Sequence, residues 1–419
     1  MSPSALRYRS ESAPSPSKGR VLSGLRVLEL GSYISAAYCA RLLAEQGAQV
    51  IKIEQPGAGD LARRHGPFPD NVPDCERSGL FLFLNTSKLG VTLDVATPTG
   101  ADLILELVRH ADVVVHNYLP QDLERLGFTY ERLRRVNPTL VLTSVTAFGQ
   151  EGPYSRHKAY AINAAAGGGA AHRIGKPDRY PIATPYERID YWGGMNGAAA
   201  TMLALLVRRR SGLGQHVDIA ATEALNTFGN GNDTVNYVDT GAITRRHGIR
   251  TPIWYPYTVL PCKDGYFAMI IAHDHHWQRW LELMGNPEWA QNPRYQDRPA
   301  MGHDYPEEVD ELVKPFLARH TKQELWAMCR ERKIPWHAVQ TIDEVLEWEQ
   351  FKARDYWQRV ADGRGAEWRL PGPQLRLVGT PAGPMGPAPT LGQHNTEVFG
   401  QLLGIPPREL ASLRRTGVI

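Results

Sequence analysis

Short apolar runs and helical apolar periodicities alternate from the first third of the chain onward. Residues 26–30 form a strand-like apolar run that Gly31 breaks, residues 36–46 repeat apolar positions at helical spacing until Gly47, and residues 50–54 are again a short run. Helix, strand, helix and strand are then expected over 101–110, 113–115, 123–135 and 140–144. Such an order predicts an α/β fold with right-handed crossovers, a parallel sheet and helices on both faces. Ligands of open parallel sheets bind beyond the carboxyl ends of the strands, so the loops that start at Gly31, Glu54, Asn117 and Thr146 are the places to look.

Farther on the pattern changes. Residues 164–171 are Ala/Gly-rich and include Gly167, Gly168 and Gly169, which points to close backbone approach rather than to helix propensity. Residues 193–207 read as a long Ala/Leu helix buried on several sides, and a strand follows at 214–219. Asp264-Gly265-Tyr266 is a hairpin-like turn before a strand at 267–271. Helices are expected over 277–284 and 321–332, the second capped by Thr321 with Glu324 in the capping-box position. Residues 371–390 are Pro/Gly-rich and extended, and a last helix begins at Asn395.

Composition narrows the function classes. The 419 residues are 42% hydrophobic, enough for a large core and two domains at about 100–200 residues each. Lys and Arg number 47 against 44 Asp and Glu, a net charge of +3 without a long single-sign block, so no nucleic-acid partner is expected. Arg208, Arg209 and Arg210 read as cations at a helix C-terminus. No apolar run of about 18 residues is present, so no membrane span is expected. Cys39, Cys75, Cys262 and Cys329 lack CxxC spacing, which argues against zinc and fits a cytoplasmic protein. His273-Asp274-His275-His276 is dense in ligand types but lacks helical ligand spacing, and no metal is assigned to it.

Three segments carry a resemblance. They are Leu25-Arg26-Val27-Leu28-Glu29-Leu30-Gly31, then Val50-Ile51-Lys52-Ile53-Glu54, then Gly149-Gln150-Glu151-Gly152-Pro153-Tyr154 followed by Lys158-Ala159-Tyr160-Ala161-Ile162-Asn163. Together they resemble the class III CoA-transferases, the CaiB/BaiF family that includes formyl-CoA transferases and the α-methylacyl-CoA racemases. Leu391-Gly392-Gln393-His394-Asn395 resembles the family's closing motif.

The resemblance implies a CoA-transferase III fold with a Rossmann-like large domain built from both ends of the chain, a small α+β domain between them, and an interlocked homodimer. On that basis residues 1–21 form a disordered tail, 22–225 the first part of the large domain, 226–244 a linker, 245–335 the small domain, and 336–419 complete the large domain. It also implies that CoA or acyl-CoA is bound as substrate, with no tightly bound cofactor and a carboxylic acid as the second substrate. Ser35 and Ala36 after the first strand, Gln55 after the second, Lys88, and Asn117 with Tyr118 are the expected CoA contacts. Lys88 matches a family Lys, whereas Leu89 stands where the family has Arg.

Chemistry is expected around Tyr160 and Ala161. Family transferases carry there an Asp that attacks the acyl-CoA thioester and cycles through mixed anhydrides and an aspartyl-CoA thioester. Here the position is Ala161, whose methyl group has no electron pair to donate. The racemases place His-Asp at these two positions and a second Asp farther on, and Asp190 alone keeps that register. The expected activity is CoA transfer between an acyl-CoA and a carboxylic acid. A racemase, isomerase or lyase using Asp190 and a non-catalytic acyl-CoA binder are the alternatives. Glu187, His157 and His172 are further acid-base candidates near this segment.

Overall fold

The structure, a computed structural model, describes residues 19–182, 187–227, 231–271, 273–362 and 365–419, so most of the expected N-terminal tail lies outside the described residues. The opening pattern folds as a βαβ unit: β1 (Arg26–Leu30), α1 (Ser35–Glu45) and β2 (Gln49–Glu54). After it come α2 (Gly79–Asn85), β3 (Lys88–Thr92), α3 (Pro98–Arg109), β4 (Val113–His116), α4 (Pro120–Leu126), α5 (Tyr130–Val136) and β5 (Val141–Thr146). α6 (Ala161–Gly167), α7 (Ala170–Arg173), α8 (Arg188–Ser211), β6 (His216–Ala220) and α9 (Ala221–Leu225) complete the series. The expected single helix over 123–135 is two, because Gly127 turns left-handed at φ 72° and closes α4 before Thr129 leads into α5.

The six strands form one parallel sheet in the order β3-β2-β1-β4-β5-β6. Side chains alternate across it. Leu28, Leu30, Val114 and Leu142 join α3, α5 and the C-terminal Phe399, Leu410 and Ile419 on one face, whereas Val27, Val113, Val115 and Val141 join α1 and α8 on the other. Because both faces are covered, residues of both facings are buried along β1, β4 and β5 instead of alternating between core and solvent.

α8 approaches α1 and β5 through glycine. A Cβ on Gly194 would stand 2.6 Å from the Ser35 carbonyl oxygen, and one on Gly197 would stand 2.8 Å from Val145 Cγ2. Only hydrogen fits there. This helix starts at Arg188, earlier than expected, and its second half is less covered than expected: Leu203, Leu206 and Val207 are exposed, because the small-residue stripe alone faces the sheet.

The chain divides into two compact units, one of residues 1–169, 184–232 and 353–419, the other of residues 170–183 and 233–352. The second unit runs to residue 352. It holds an antiparallel sheet of β7 (Tyr257–Cys262), β8 (Gly265–Ile270) and β9 (His337–Ala338) over a core that includes Phe267, Trp277, Trp280, Val309 and Leu325. The expected hairpin turn joins β7 to β8. The expected capping box is present as well: the Thr321 N–H donates to Glu324 Oε2 at 2.8 Å, and the Glu324 N–H donates to Thr321 Oγ1 at 3.3 Å. Among the described residues no helix is long and apolar enough to cross a membrane.

Candidate active site

β1 and β4 are neighbours whose connections leave in opposite directions, so the crevice of this sheet opens where these two strands end. Gly31, Ser32 and Tyr33 follow β1, and Asn117 and Tyr118 follow β4. Asn117 ties the two ends together. Its Oδ1 accepts from the Ser32 N–H at 3.1 Å, and its Nδ2 donates to the Ser32 carbonyl at 2.7 Å and to Ser35 Oγ at 3.2 Å. A side chain on Gly31 would collide with Ala36 Cβ at 2.6 Å and Asn117 Oδ1 at 3.0 Å, which explains the glycine.

The expected CoA contacts are thereby sorted. Asn117 and Tyr118 stand half-buried at the crevice, the Tyr118 ring stacked on His116 with centroids 6.2 Å apart. Gln55 is exposed just beyond β2. Ser35 and Ala36 begin α1, but their side chains are buried: the Ser35 hydroxyl donates to the Val145 carbonyl at 3.2 Å. They shape the loop from beneath.

Lys88 is placed elsewhere than expected. It starts β3 opposite Val50, at the amino end of the sheet, and its side chain is fully buried. Nζ donates to Glu29 Oε2 at 2.6 Å, the Ala37 carbonyl at 2.8 Å and Asn85 Oδ1 at 2.9 Å, so all three ammonium protons are taken. Glu29 also accepts from Lys52 Nζ at 2.6 Å, and Lys52 pairs with Asp60 Oδ2 at 2.6 Å, every one of these side chains having no exposure. Burial opposes the charge on Lys52, yet Asp60 and Glu29 outweigh it and raise its pKa above the ordinary value. Lys88 has only a share of Glu29, and burial pushes its ammonium down to about 8.

Asp60 carries this cluster to the crevice. Its Oδ1 accepts from the Tyr33 N–H at 2.9 Å, from Ser32 Oγ at 3.3 Å and from the Ala62 N–H at 2.7 Å. These bonds hold Tyr33 at φ 70°, a left-handed conformation unusual for an aromatic residue. The Tyr33 hydroxyl donates to Glu187 Oε1 at 3.2 Å, and burial and then Glu187 raise the phenol to about 12.

Glu187 is itself left-handed, at φ 46°, and precedes the first residue of α8. Asp190 lies one turn in. Burial first and the Glu187 charge second raise its carboxyl to about 6. No side-chain oxygen caps α8, although a carboxylate in the first turn still meets the positive end of the helix dipole.

Ala161 is buried at the start of α6, and Tyr160 before it is exposed, its N–H donating to Asn163 Oδ1 at 3.0 Å. α6 packs on α8. His157 and His172 are both exposed. Tyr33 and Asp60 were not singled out from sequence. Asp60 had a signal, an acid directly after the Gly57-Ala58-Gly59 turn that follows β2; the left-handed Tyr33 had none.

Comparison with known proteins agrees with this geometry. The model of CoA-transferase family III matches residues 22–395. The chain is 35% identical over 401 residues to the succinyl-CoA–D-citramalate CoA-transferase of Chloroflexus aurantiacus, covering 96% of this chain and 98% of that protein. It is 30% identical to the succinate–glutarate CoA-transferase of Agrobacterium fabrum, covering 92% and 97%. A crystal structure of a CaiB/BaiF family protein from Brucella suis superposes with a TM-score of 0.82 at 28% identity, covering 92% of this chain and all of that one. The chain belongs to CoA-transferase family III.

Proposed function

We propose that this protein transfers CoA from an acyl-CoA thioester to a carboxylic acid. The observation that carries the reading is the family match over residues 22–395, on a sheet whose β1–β4 crevice is framed by Asn117, Tyr118 and the left-handed Tyr33 loop. CoA is bound there as a substrate, with Gln55 and Tyr118 at the rim; Lys88 is left out because its protons are committed. The two relatives named above act on succinyl-CoA with citramalate and on succinate with glutarate, which favours small dicarboxylates as donor and acceptor.

Position 161 supplies no nucleophile, so the carboxylate comes from the head of α8, where Glu187 and Asp190 share one turn. The exposed Leu203, Leu206 and Val207 of α8 support a homodimer that covers them, and the cysteine pattern supports a cytoplasmic location. The test is steady-state CoA exchange between succinyl-CoA and a panel of carboxylates, with Ala161→Asp as the comparison. Transfer by either protein supports the reading, and absence of transfer by both overturns it.

A second reading has one observation in its favour. A carboxyl at about 6, as for Asp190, is poised to take a proton from the α-carbon of an acyl-CoA near neutral pH. Exchange of that α-hydrogen in deuterium oxide, lost in Asp190→Asn, would select it over transfer.

A further inference from the structure

The acids around the carboxyl ends of the sheet differ sharply in what they are free to do. Glu29 and Asp60 are completely buried against Lys52 and Lys88. Glu54 is locked by Arg63, whose Nε and Nη2 reach its two oxygens at 2.7 and 2.8 Å. A carboxylate committed to a cation in this way is a poor nucleophile, because its electron pairs are already engaged. Glu187 differs on each count: it is half-buried, and among the described residues no Lys or Arg pairs with it and its one hydrogen-bond donor is the neutral Tyr33 phenol at 3.2 Å.

The backbone adds an independent observation. Tyr33 and Glu187 both sit in the left-handed region, at φ 70° and φ 46°, and their side chains bond to each other. Non-glycine residues persist in this region only where the surroundings hold them. For Tyr33 the holder is visible: Asp60 accepts its N–H while anchored on the buried Lys52. The result aims the phenol, from the loop that follows β1, at the Glu187 carboxylate. Asp190, one turn farther along α8, has its carboxyl raised to about 6 by burial first and the Glu187 charge second.

We propose that Glu187 is the nucleophilic carboxylate of this protein and that Tyr33 is its hydrogen-bonding partner in catalysis; this rests on the transferase reading above. A Glu187 oxygen attacks the thioester carbonyl carbon, the C–S bond breaks, and CoA leaves as the thiolate, giving a mixed anhydride. The thiolate attacks the Glu187 carbonyl carbon and displaces the donor as its free carboxylate, which leaves a glutamyl-CoA thioester. The acceptor carboxylate attacks that thioester, CoA thiolate leaves again, and a second anhydride forms. Attack of the thiolate on the acceptor acyl carbon releases the new acyl-CoA and restores Glu187. No redox partner and no net proton are required. Through these steps the Tyr33 O–H remains beside the oxygen on which negative charge develops.

The experiment is covalent trapping. Protein incubated with succinyl-CoA is treated with hydroxylamine or borohydride, and its peptides are mapped by mass spectrometry. The expected result is a hydroxamate or the reduced alcohol at Glu187, still formed in Asp190→Asn and absent in Glu187→Gln. Glu187→Gln should keep its thermal unfolding and CoA binding while losing transfer by a factor on the order of 10³ or more. Tyr33→Phe should lower kcat about 10²-fold with little change in KM for succinyl-CoA, a split that a merely structural contact would not produce. An adduct on Asp190 or another residue, or unimpaired transfer by Glu187→Gln, overturns the assignment. If the parent chain is inert and Ala161→Asp transfers CoA, the transferase reading stands and the Glu187 assignment falls. If neither protein transfers, both fall.

Discussion

Two groups of charged residues lie at opposite ends of one hydrogen-bonded chain, and they obey opposite rules. In the sheet, Glu29, Lys52, Asp60 and Lys88 are fully buried and paired at 2.6 Å throughout, two acids against two bases. At the head of α8, Glu187 and Asp190 share a turn with no cation among the described residues to balance them. Burying charge is tolerable only where each charge meets its opposite and its remaining hydrogen-bond capacity is filled. The first group satisfies that condition and fixes the backbone. The second violates it, and unbalanced carboxylates at a crevice are what acyl or proton transfer needs. Removing a charge should therefore have opposite signs of effect on stability in the two places.

The largest expected effect is in the cluster. Lys52→Met fills a similar volume but leaves Glu29 and Asp60 without their shared cation, and breaking a buried ion pair from one side costs about 3–5 kcal/mol. Urea unfolding should show a loss of that size, together with weaker CoA binding because Asp60 no longer anchors Tyr33. A loss below about 1 kcal/mol would break the comparison.

At α8 the sign reverses. The Asp190 carboxyl sits at about 6 when folded against an ordinary 3.8, so folding favours its protonated form. Below pH 3.8 the group is neutral in both states and costs nothing; the penalty grows as pH rises from 3.8 to 6 and is constant above. Asp190→Asn should then stabilise the protein by about 1–3 kcal/mol at pH 7.5 and leave stability unchanged near the lower limit, as measured by urea unfolding at each pH. Equal stability at pH 7.5 would mean that the carboxylate is better solvated than its surroundings indicate.

His116 gives a related test with a different pH window. Burial, and to a smaller extent His216, lowers its imidazole to about 3, and the neutral ring bonds Ser144 Oγ at 2.6 Å. Unfolded, the same group binds a proton near 6.5. Its contribution to stability is therefore complete above pH 6.5 and is lost as pH falls toward 3, and in His116→Gln the acid loss over that window should be smaller.

How much of this was legible in the chain follows from what each feature depends on. The strands were readable because a doubly covered parallel sheet writes unbroken apolar runs, as at Val113-Val114-Val115. The crevice loops at Gly31 and Asn117 followed from strand ends alone. Lys88 was misleading for the converse reason: a lysine in a run looks like a surface cation, and only the register of β3 against Val50 shows that its side chain points along the sheet interior to Glu29. The pair of Tyr33 and Glu187 was hidden because left-handed conformations are imposed there by tertiary bonds and not by glycine or asparagine. Glycines 193, 194 and 197 lie in a stretch that read only as a buried Ala/Leu helix, and they are its contact points, since a Cβ on each would meet a neighbouring atom at 3.1, 2.6 and 2.8 Å.

The smallest expected effect lies at the joint between the two groups. Ser32 Oγ accepts the Leu61 N–H at 3.0 Å and donates to Asp60 Oδ1 at 3.3 Å, so it stitches the loop after β1 to the acid that the cluster anchors. Ser32→Ala removes one good and one long hydrogen bond from a half-buried position, a loss of about 0.5–1.5 kcal/mol. The main-chain contacts of the loop survive, because Asn117 holds the Ser32 backbone and Asp60 still takes the Tyr33 N–H. The Tyr33 to Glu187 bond should therefore persist, and kcat should fall by less than about threefold while urea stability drops measurably. A fall in kcat as large as that of Tyr33→Phe would show that the loop is held by the serine and not by the buried aspartate, and the buried cluster would then have no mechanical link to the head of α8.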